Sequence, residues 1–312
     1  MKRIPVIMDV DTGIDDAVAL ILAMSSPQIE LKGVTVVAGN QTIEKTLTNT
    51  LAVVECFGNG DIPVAKGAAK PLVRELNIGD DTHGESGLGT AKLPAPQMQP
   101  HSLDAVDFLR ETLESSQQNI TIVPVGSLTN IALLLMCYPH VKDKIEKIVL
   151  MGGGAFEGNA TAVSEYNIYR DPEAARVVFD SGVDIVMCGL DVTMKSYATK
   201  EDIQRIESTG TQAGRFCSEA FEFYYQSYIN NTRLPGCAVH DAVAVAYLLH
   251  PEWISTRRAY VTVDIDGEET LGQTVCDFRP DRNKTMDNTT VCLDIDREKF
   301  IDLLVSACKN SR

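Results

Sequence analysis

The segment Asp9-Val10-Asp11-Thr12-Gly13-Ile14-Asp15-Asp16 sets four carboxylates within eight residues, and an apolar run follows at once. Like charges packed so closely repel one another unless protons or a cation compensate. Helix capping accounts for one or two of them, because a carboxylate in a first turn meets free backbone N–H groups and favours the dipole. It does not account for all four. With no Cys or His beside them, these hard oxygen donors suit Ca2+ or Mg2+ better than zinc.

Other polar residues recur where apolar runs end. Gly39-Asn40 offers a neutral amide, and Val125, in Pro124-Val125-Gly126, offers a main-chain carbonyl. Met151 leads into Gly152-Gly153-Gly154, a run that permits close backbone approach but lacks the spacing of a dinucleotide fingerprint. The loop Glu157–Asn167 carries Asn159, Glu165, Tyr166 and Asn167. Such residues form turns readily. Two amides and a carboxylate also suit a polyhydroxylated sugar, whose hydroxyls each donate and accept. Of the five histidines, His140 and His250 read as surface residues and His101 as the start of a helix. His240 precedes Asp241 at the head of HDAVAVAYLL, an arrangement that repeats the Asp16 helix start. His83 lies in a glycine-rich loop, Thr82-His83-Gly84-Glu85-Ser86-Gly87.

The elements that must hold these residues are legible as alternation. Strands are expected at Ile4–Val10, Leu31–Ala38, Ile120–Val125, Lys147–Met151 and Ile185–Leu190, each nearly continuous in apolar residues as in a parallel sheet buried on both faces. Between them run helical patterns with their own start signals. Asp171-Pro172 opens one that Gly182 stops, Ser127 is placed to cap another, and Asp296 the last. The pattern implies right-handed βαβ units, hence a single α/β domain with a doubly wound, mostly parallel sheet flanked by helices. About 70–100 is a long irregular loop of the kind that often acts as a lid, and about Glu252–Asp287 reads as a late addition. Ligands of such sheets bind beyond the carboxyl ends of the strands, where the polar residues above fall.

Composition sets outer bounds. The chain has 312 residues, 44% hydrophobic and 23% charged, enough for a large core without disulfides. A net charge of −15 argues against a nucleic-acid partner or an anionic membrane surface. No apolar segment is long enough to span a bilayer, and the start lacks a signal-peptide pattern. The eight cysteines are scattered without a C-x-x-C pair, which suits a reduced, cytoplasmic protein.

Taken in order, D-x-D-x-G-x-D-D, Gly39-Asn40, PVGSLTNIA, LMGGG, GNAT, SEYN, DPEAA and VHDA resemble the inosine–uridine-type nucleoside hydrolases over about Ile4 to Leu248. The His83 loop resembles the pyrimidine-inclined bacterial members. Thr12 departs from the family, which usually has Pro there. The resemblance implies one nucleoside hydrolase domain over 1–312 that cuts ribonucleosides, pyrimidine ones by preference, into ribose and free base. It also implies Ca2+ held by Asp11, Asp16, Asp241 and the main-chain oxygen of Val125, with a water and two ribose hydroxyls completing the shell. Asp11 would take a proton from that water, and Asp9 would orient the ligands. Asp15, Asn40, Asn159, Glu165 and Asn167 would grip the ribose, with Met151 and Tyr166 beside it. His83 or His240 would serve the leaving base, and Tyr228 and Arg233 would line its pocket. The family is usually a homo-oligomer, a dimer or tetramer.

The chemistry fits these residue types: an oxocarbenium-like ribose is stabilised by clustered carboxylates. Two other readings compete. A haloacid-dehalogenase-type phosphatase would use Asp9 as nucleophile and Asp11 as acid/base, but such enzymes show D-x-D-x-T, and this chain has Thr12-Gly13. A non-catalytic nucleoside-binding protein has no need of a positioned base.

Overall fold

A computed structural model of the chain describes residues 3–58, 62–232, 234–280 and 286–311. The first half runs β1 (Ile4–Val10), α1 (Ile14–Ser25), β2 (Ile29–Val36), α2 (Ile43–Phe57), β3 (Val64–Lys66), α3 (Asp80–His83), α4 (Ala105–Ser115), β4 (Ile120–Pro124), α5 (Thr129–Cys137) and β5 (Ile145–Met151). Next come α6 (Tyr166–Arg170), α7 (Pro172–Phe179), β6 (Ile185–Cys188), α8 (Leu190–Thr193), β7 (Tyr197–Ala198), α9 (Lys200–Glu207) and α10 (Gln212–Asn231). The chain closes with β8 (Cys237–Ala238), α11 (Ala242–Leu249), β9 (Ile254–Val263), β10 (Thr274–Asp277), β11 (Thr289–Ile295) and α12 (Arg297–Asn310).

Nine strands form one sheet in the order β10-β9-β11-β6-β5-β4-β1-β2-β3, parallel from β11 to β3. The apolar runs become strands because both faces are covered. Val6, Met8 and Val10 of β1 join a core formed with α1, α2, α11 and α12, while Ile7 points the other way into a core with α4, α5 and α7. The chain thus forms one mostly parallel α/β domain with helices on both faces.

β1 pairs with β2 on one side and β4 on the other, so the winding direction reverses at β1. Asp9 is in register with Thr35 of β2 and Pro124 of β4, which brings three strand ends together at this switch point. The segment read as a late addition is the antiparallel edge β9–β10. It reaches back to the site: Thr274 Oγ1 accepts from Gly154 N (2.9 Å) and donates to Gly154 O (2.7 Å).

Asp171 and Asp296 cap α7 and α12 as expected, accepting from Ala174 N and Lys299 N. Ser127 does not cap α5, which begins at Thr129 behind Leu128; its hydroxyl instead reaches Ala38 O and Thr129 Oγ1. His101 is likewise not a helix start, since Asp104 caps α4 and His101 N donates to Val64 O.

Asp202 closes a capping box with Thr199 at the head of α9 and pairs with Arg297 of α12 and Arg205. Asp202→Ala removes the reciprocal half of the capping box and one of two carboxylate partners of the half-buried Arg297 guanidinium, which keeps Glu298 and Tyr197 O. It is expected to lower unfolding stability by about 2–4 kcal/mol in a urea titration; a loss below about 0.5 kcal/mol would mean the junction is held by apolar packing alone.

Candidate active site

The turn after β1 is shaped by its own backbone. Gly13 leads into α1, and the Asp16 carboxylate folds back to accept from Gly13 N (2.8 Å) and Asp11 N (3.0 Å). Asp16 also takes the Asn40 amide at 3.1 Å. From the end of β2, Asn40 N donates to Asp11 Oδ2 at 2.7 Å. Asp11 fits only because the flanking backbone is bare: a Cβ on Gly39 would stand 2.2 Å from Asp11 Oδ2, and one on Gly126 2.8 Å from Oδ1.

Asp15, Asp16 and Asp241 are buried and present oxygens within 4.8 Å of one another. Asp11 joins this group through Asp16, whose carboxylate interacts with those of both Asp11 and Asp241. Burial, then the charge of Asp16, pushes Asp11 well above the usual carboxylate range and Asp15 up to about 8. Burial and the charges of Asp15, Asp16 and Asp11 raise Asp241 in the same way. Asp9 lies just beneath, pushed up to about 7 by burial although Asn130 and Thr35 hydrogen-bond to it.

The donor set tests whether a cation fits. Asp241 stands at the N-cap position of α11 yet makes no side-chain cap bond, unlike Asp104, Asp171 and Asp296. Asp241 Oδ2 and Asp11 Oδ1 are buried without a hydrogen-bond partner, a costly state for a carboxylate oxygen unless something else meets it. Val125 O accepts from Asn167 Nδ2 (2.7 Å) and keeps a second lone pair. All-oxygen donors around a strong negative charge fit a hard divalent cation.

Above these carboxylates lies a cavity of about 320 Å3, a volume suited to a small polar ligand. Asp15, Asn40, Val125, Met151, Asn159, Glu165, Tyr166, Asn167, Tyr228, His83, His240 and Asp241 all line it, while Asp11 and Asp16 are fully buried behind it. Arg233 lies outside the described residues. Several of these groups are committed to the protein. Glu165 caps α6, taking Asn167 N and Ile168 N, and also accepts from Gly153 N at 2.9 Å. Burial nonetheless raises it to about 6. Glycine-run N–H groups are therefore tied to Glu165 and Thr274, which fixes the loop after β5. Asn159 Oδ1 accepts from Tyr166 N.

The lining also includes aromatic and neutral groups. His240 Nε2 lies 2.5 Å from the Tyr228 hydroxyl and Nδ1 lies 2.8 Å from Thr193 Oγ1. Tyr228 in turn packs edge-on against Tyr224, ring centroids 4.9 Å apart. Tyr224 is tilted against His83. The sequence reading missed Tyr224, Thr193, Met194 and Thr82. Only Tyr224 had a signal, its i, i+4 spacing from Tyr228 in FYYQSY. His83 is delivered by the long loop, which Leu72 N–Asp171 and a two-pronged Arg74–Glu173 pair hold in place. Its Nδ1 accepts from Ile14 N at 3.2 Å, at the start of α1. That bond requires a bare Nδ1, so the ring proton sits on Nε2. Burial, with His240 adding to it, pushes His83 down to about 3, and burial alone pushes His240 to about 4.

The chain matches the family model for inosine-uridine preferring nucleoside hydrolase over residues 6–302. Pyrimidine-specific ribonucleoside hydrolase RihA of Salmonella paratyphi B is 45% identical over 303 residues, covering 96% of this chain and 97% of that protein. The RihA of Photobacterium profundum is 44% identical, covering 98% and 99%. Among solved structures, the purine-preferring ribonucleoside hydrolase from Gardnerella vaginalis superposes with a TM-score of 0.92 at 32% identity, covering 98% of each chain.

The His83 geometry has a direct check. Nitrogen-15 NMR of the imidazole is expected to show a neutral ring protonated on Nε2 throughout pH 5–8, because the folded pKa of about 3 lies below that window. A ring that becomes doubly protonated between pH 7 and 5 contradicts the Ile14 bond.

Proposed function

The chain is a ribonucleoside hydrolase of the inosine-uridine preferring nucleoside hydrolase family, and we propose that it prefers uridine and cytidine, with Asp11 as general base. The observation that carries the catalytic reading is the buried, partnerless Asp11 Oδ1 beside the carboxylate cluster. The pyrimidine preference is supported by the names and 44–45% identity of the RihA relatives. The fold alone does not favour it, since a purine-preferring enzyme shares the same architecture at 32% identity.

Asp11, Asp16, Asp241 and the Val125 carbonyl would hold the metal, for which we propose Ca2+; when bound it supplies Lewis acidity that eases deprotonation of water and fixes ribose hydroxyls. Asp11 takes the proton of the attacking water. Asp15, facing the cavity, and Asn40, Asn159, Glu165 and Asn167 hold the ribose, with Met151 and Tyr166 packed beside it. The surrounding carboxylates stabilise the positive charge that grows on the sugar ring as the bond to the base stretches.

The two histidines differ in role. With Nδ1 engaged by the Ile14 N–H, His83 cannot become imidazolium without losing that bond, so it acts as an Nε2–H hydrogen-bond donor to the base. His240 is hydrogen-bonded to the Tyr228 hydroxyl, through which a proton can be delivered and replaced. Tyr228 and Arg233 complete the base pocket in this reading.

We further infer one functional domain over 1–312, working as a homo-oligomer (dimer or tetramer) in the cytoplasm. Free cysteines throughout, including Cys188 and Cys292 at 3.8 Å, support a reducing compartment.

Steady-state release of base from uridine, cytidine, inosine and adenosine, with and without EDTA, tests this function. Uridine and cytidine are expected to turn over fastest, with activity lost to EDTA and restored by Ca2+; a purine-first ranking would overturn the base preference. Asp11→Asn is expected to lose turnover on every substrate. His240→Ala is expected to cost uridine about 10²–10³ in kcat, but to spare p-nitrophenyl riboside, whose leaving group needs no proton. Equal losses on both substrates would remove His240 from leaving-group chemistry.

A further inference from the structure

Tyr166 and Arg170 stand one turn apart on α6, and the catalytic reading gives Arg170 nothing to do. The guanidinium sits over the Tyr166 ring with its central carbon 4.1 Å from the ring centroid. Its Nη2 reaches the Ile78 carbonyl at 3.5 Å, while Nε is buried without a hydrogen-bond partner. A buried donor left unmet is unfavourable, so the position is justified by what the stacking holds. Tyr166 does not offer its hydroxyl to the cavity that its ring lines. It donates to Gly39 O at 3.1 Å, and Gly79 closes behind it so tightly that a Cβ there would lie 2.4 Å from the phenol oxygen. The next residue after Gly39 donates its N–H to Asp11 Oδ2 at 2.7 Å.

These contacts form a continuous bracket: Arg170 over the Tyr166 ring, the Tyr166 hydroxyl on Gly39, and the Gly39-Asn40 turn on Asp11. We propose that Arg170 is a positioning residue for the reaction, acting through Tyr166 to hold the turn that aims the Asp11 carboxylate. The inference rests on the reading of Asp11 as the base. A cation over the ring face restrains the ring in its plane, and that restraint fixes where the hydroxyl meets the carbonyl. The bracket also joins the long loop, through Ile78 and Gly79, to the base; loop and base are thereby placed by one pair of side chains. Small displacements of a reacting carboxylate are expensive in rate, whereas a sugar held by many hydroxyl contacts loses little affinity from the same shift.

The test is kinetic, on the Ca2+-loaded enzyme with uridine. Tyr166→Phe and Arg170→Met are each expected to lower kcat about tenfold while KM stays within about twofold, with Arg170→Lys falling between Arg170→Met and the parent. Because both act through one path, the double variant is expected to match Tyr166→Phe alone. Losses that multiply in the double variant, a rise in KM without a fall in kcat, or an unchanged kcat would each overturn the bracket. Should Arg170→Met fail to fold, Arg170→Lys combined with Tyr166→Phe carries the same comparison. Asp11→Asn is measured alongside. If it keeps turnover, the base assignment itself has failed; if it is inactive while Arg170→Met turns over normally, the bracket alone is wrong.

Discussion

Repulsion among Asp11, Asp15, Asp16 and Asp241 is the constraint around which this fold is arranged. Each is buried, and burial together with neighbouring charge raises Asp11, Asp15 and Asp241 far above an ordinary carboxylate. A protein could relieve this by bringing in Lys or Arg, but the polar neighbours here are backbone N–H groups and the Asn40 amide. Those contacts orient the oxygens without neutralising them. With no cation bound, protons relieve the repulsion, because the raised groups hold them near neutral pH; a hard cation that displaced those protons would meet a ready set of oxygen donors.

The sheet makes that concentration of charge possible. Reversal of winding at β1 opens a crevice between the β1–α1 and β4–α5 connections, and parallel pairing brings the ends of β1, β2, β4 and β5 to the same level. Rigid strands packed on both faces hold the backbone of Asp11 and Val125. The more variable work falls to loops that are tied down individually. Glu165 anchors the glycine run after β5, Thr274 anchors it again from the antiparallel edge, and Asp171 with Glu173 holds the long loop that carries His83. The edge hairpin β9–β10 thus serves the site from a distance, by fixing the loop after β5.

Sequence made the framework legible to the extent that local physics determines it. β1 was readable to the residue because Val6, Ile7, Met8 and Val10 are all buried, leaving no alternation to misread. Asp171 and Asp296 were readable as caps because a Pro or a helical pattern follows at the right offset. Ser127 carried the same signal and misled, since its hydroxyl is claimed by Ala38, 89 residues away. The carboxylates could be picked out, but not which of them caps and which waits for a ligand; that depends on Asp241 having no N–H to accept and Asp16 having two. Thr193 and the His83–Ile14 bond were invisible for the same reason, because each joins segments that only the tertiary fold brings together.

The cavity sets carboxylates beside neutral hydrogen-bonding groups, and N-glycosidic cleavage has a use for both. Its described lining residues carry carboxylates and no Lys or Arg, together with the neutral His83, His240, Tyr224 and Tyr228. When the bond between ribose and base breaks unevenly, positive charge builds on the sugar and negative charge on the base. Anionic groups favour the first, and O–H and N–H donors the second. Neutral histidines matter to this arrangement. An imidazolium at position 83 or 240 would be drawn to the carboxylate cluster, whereas burial keeps both rings uncharged.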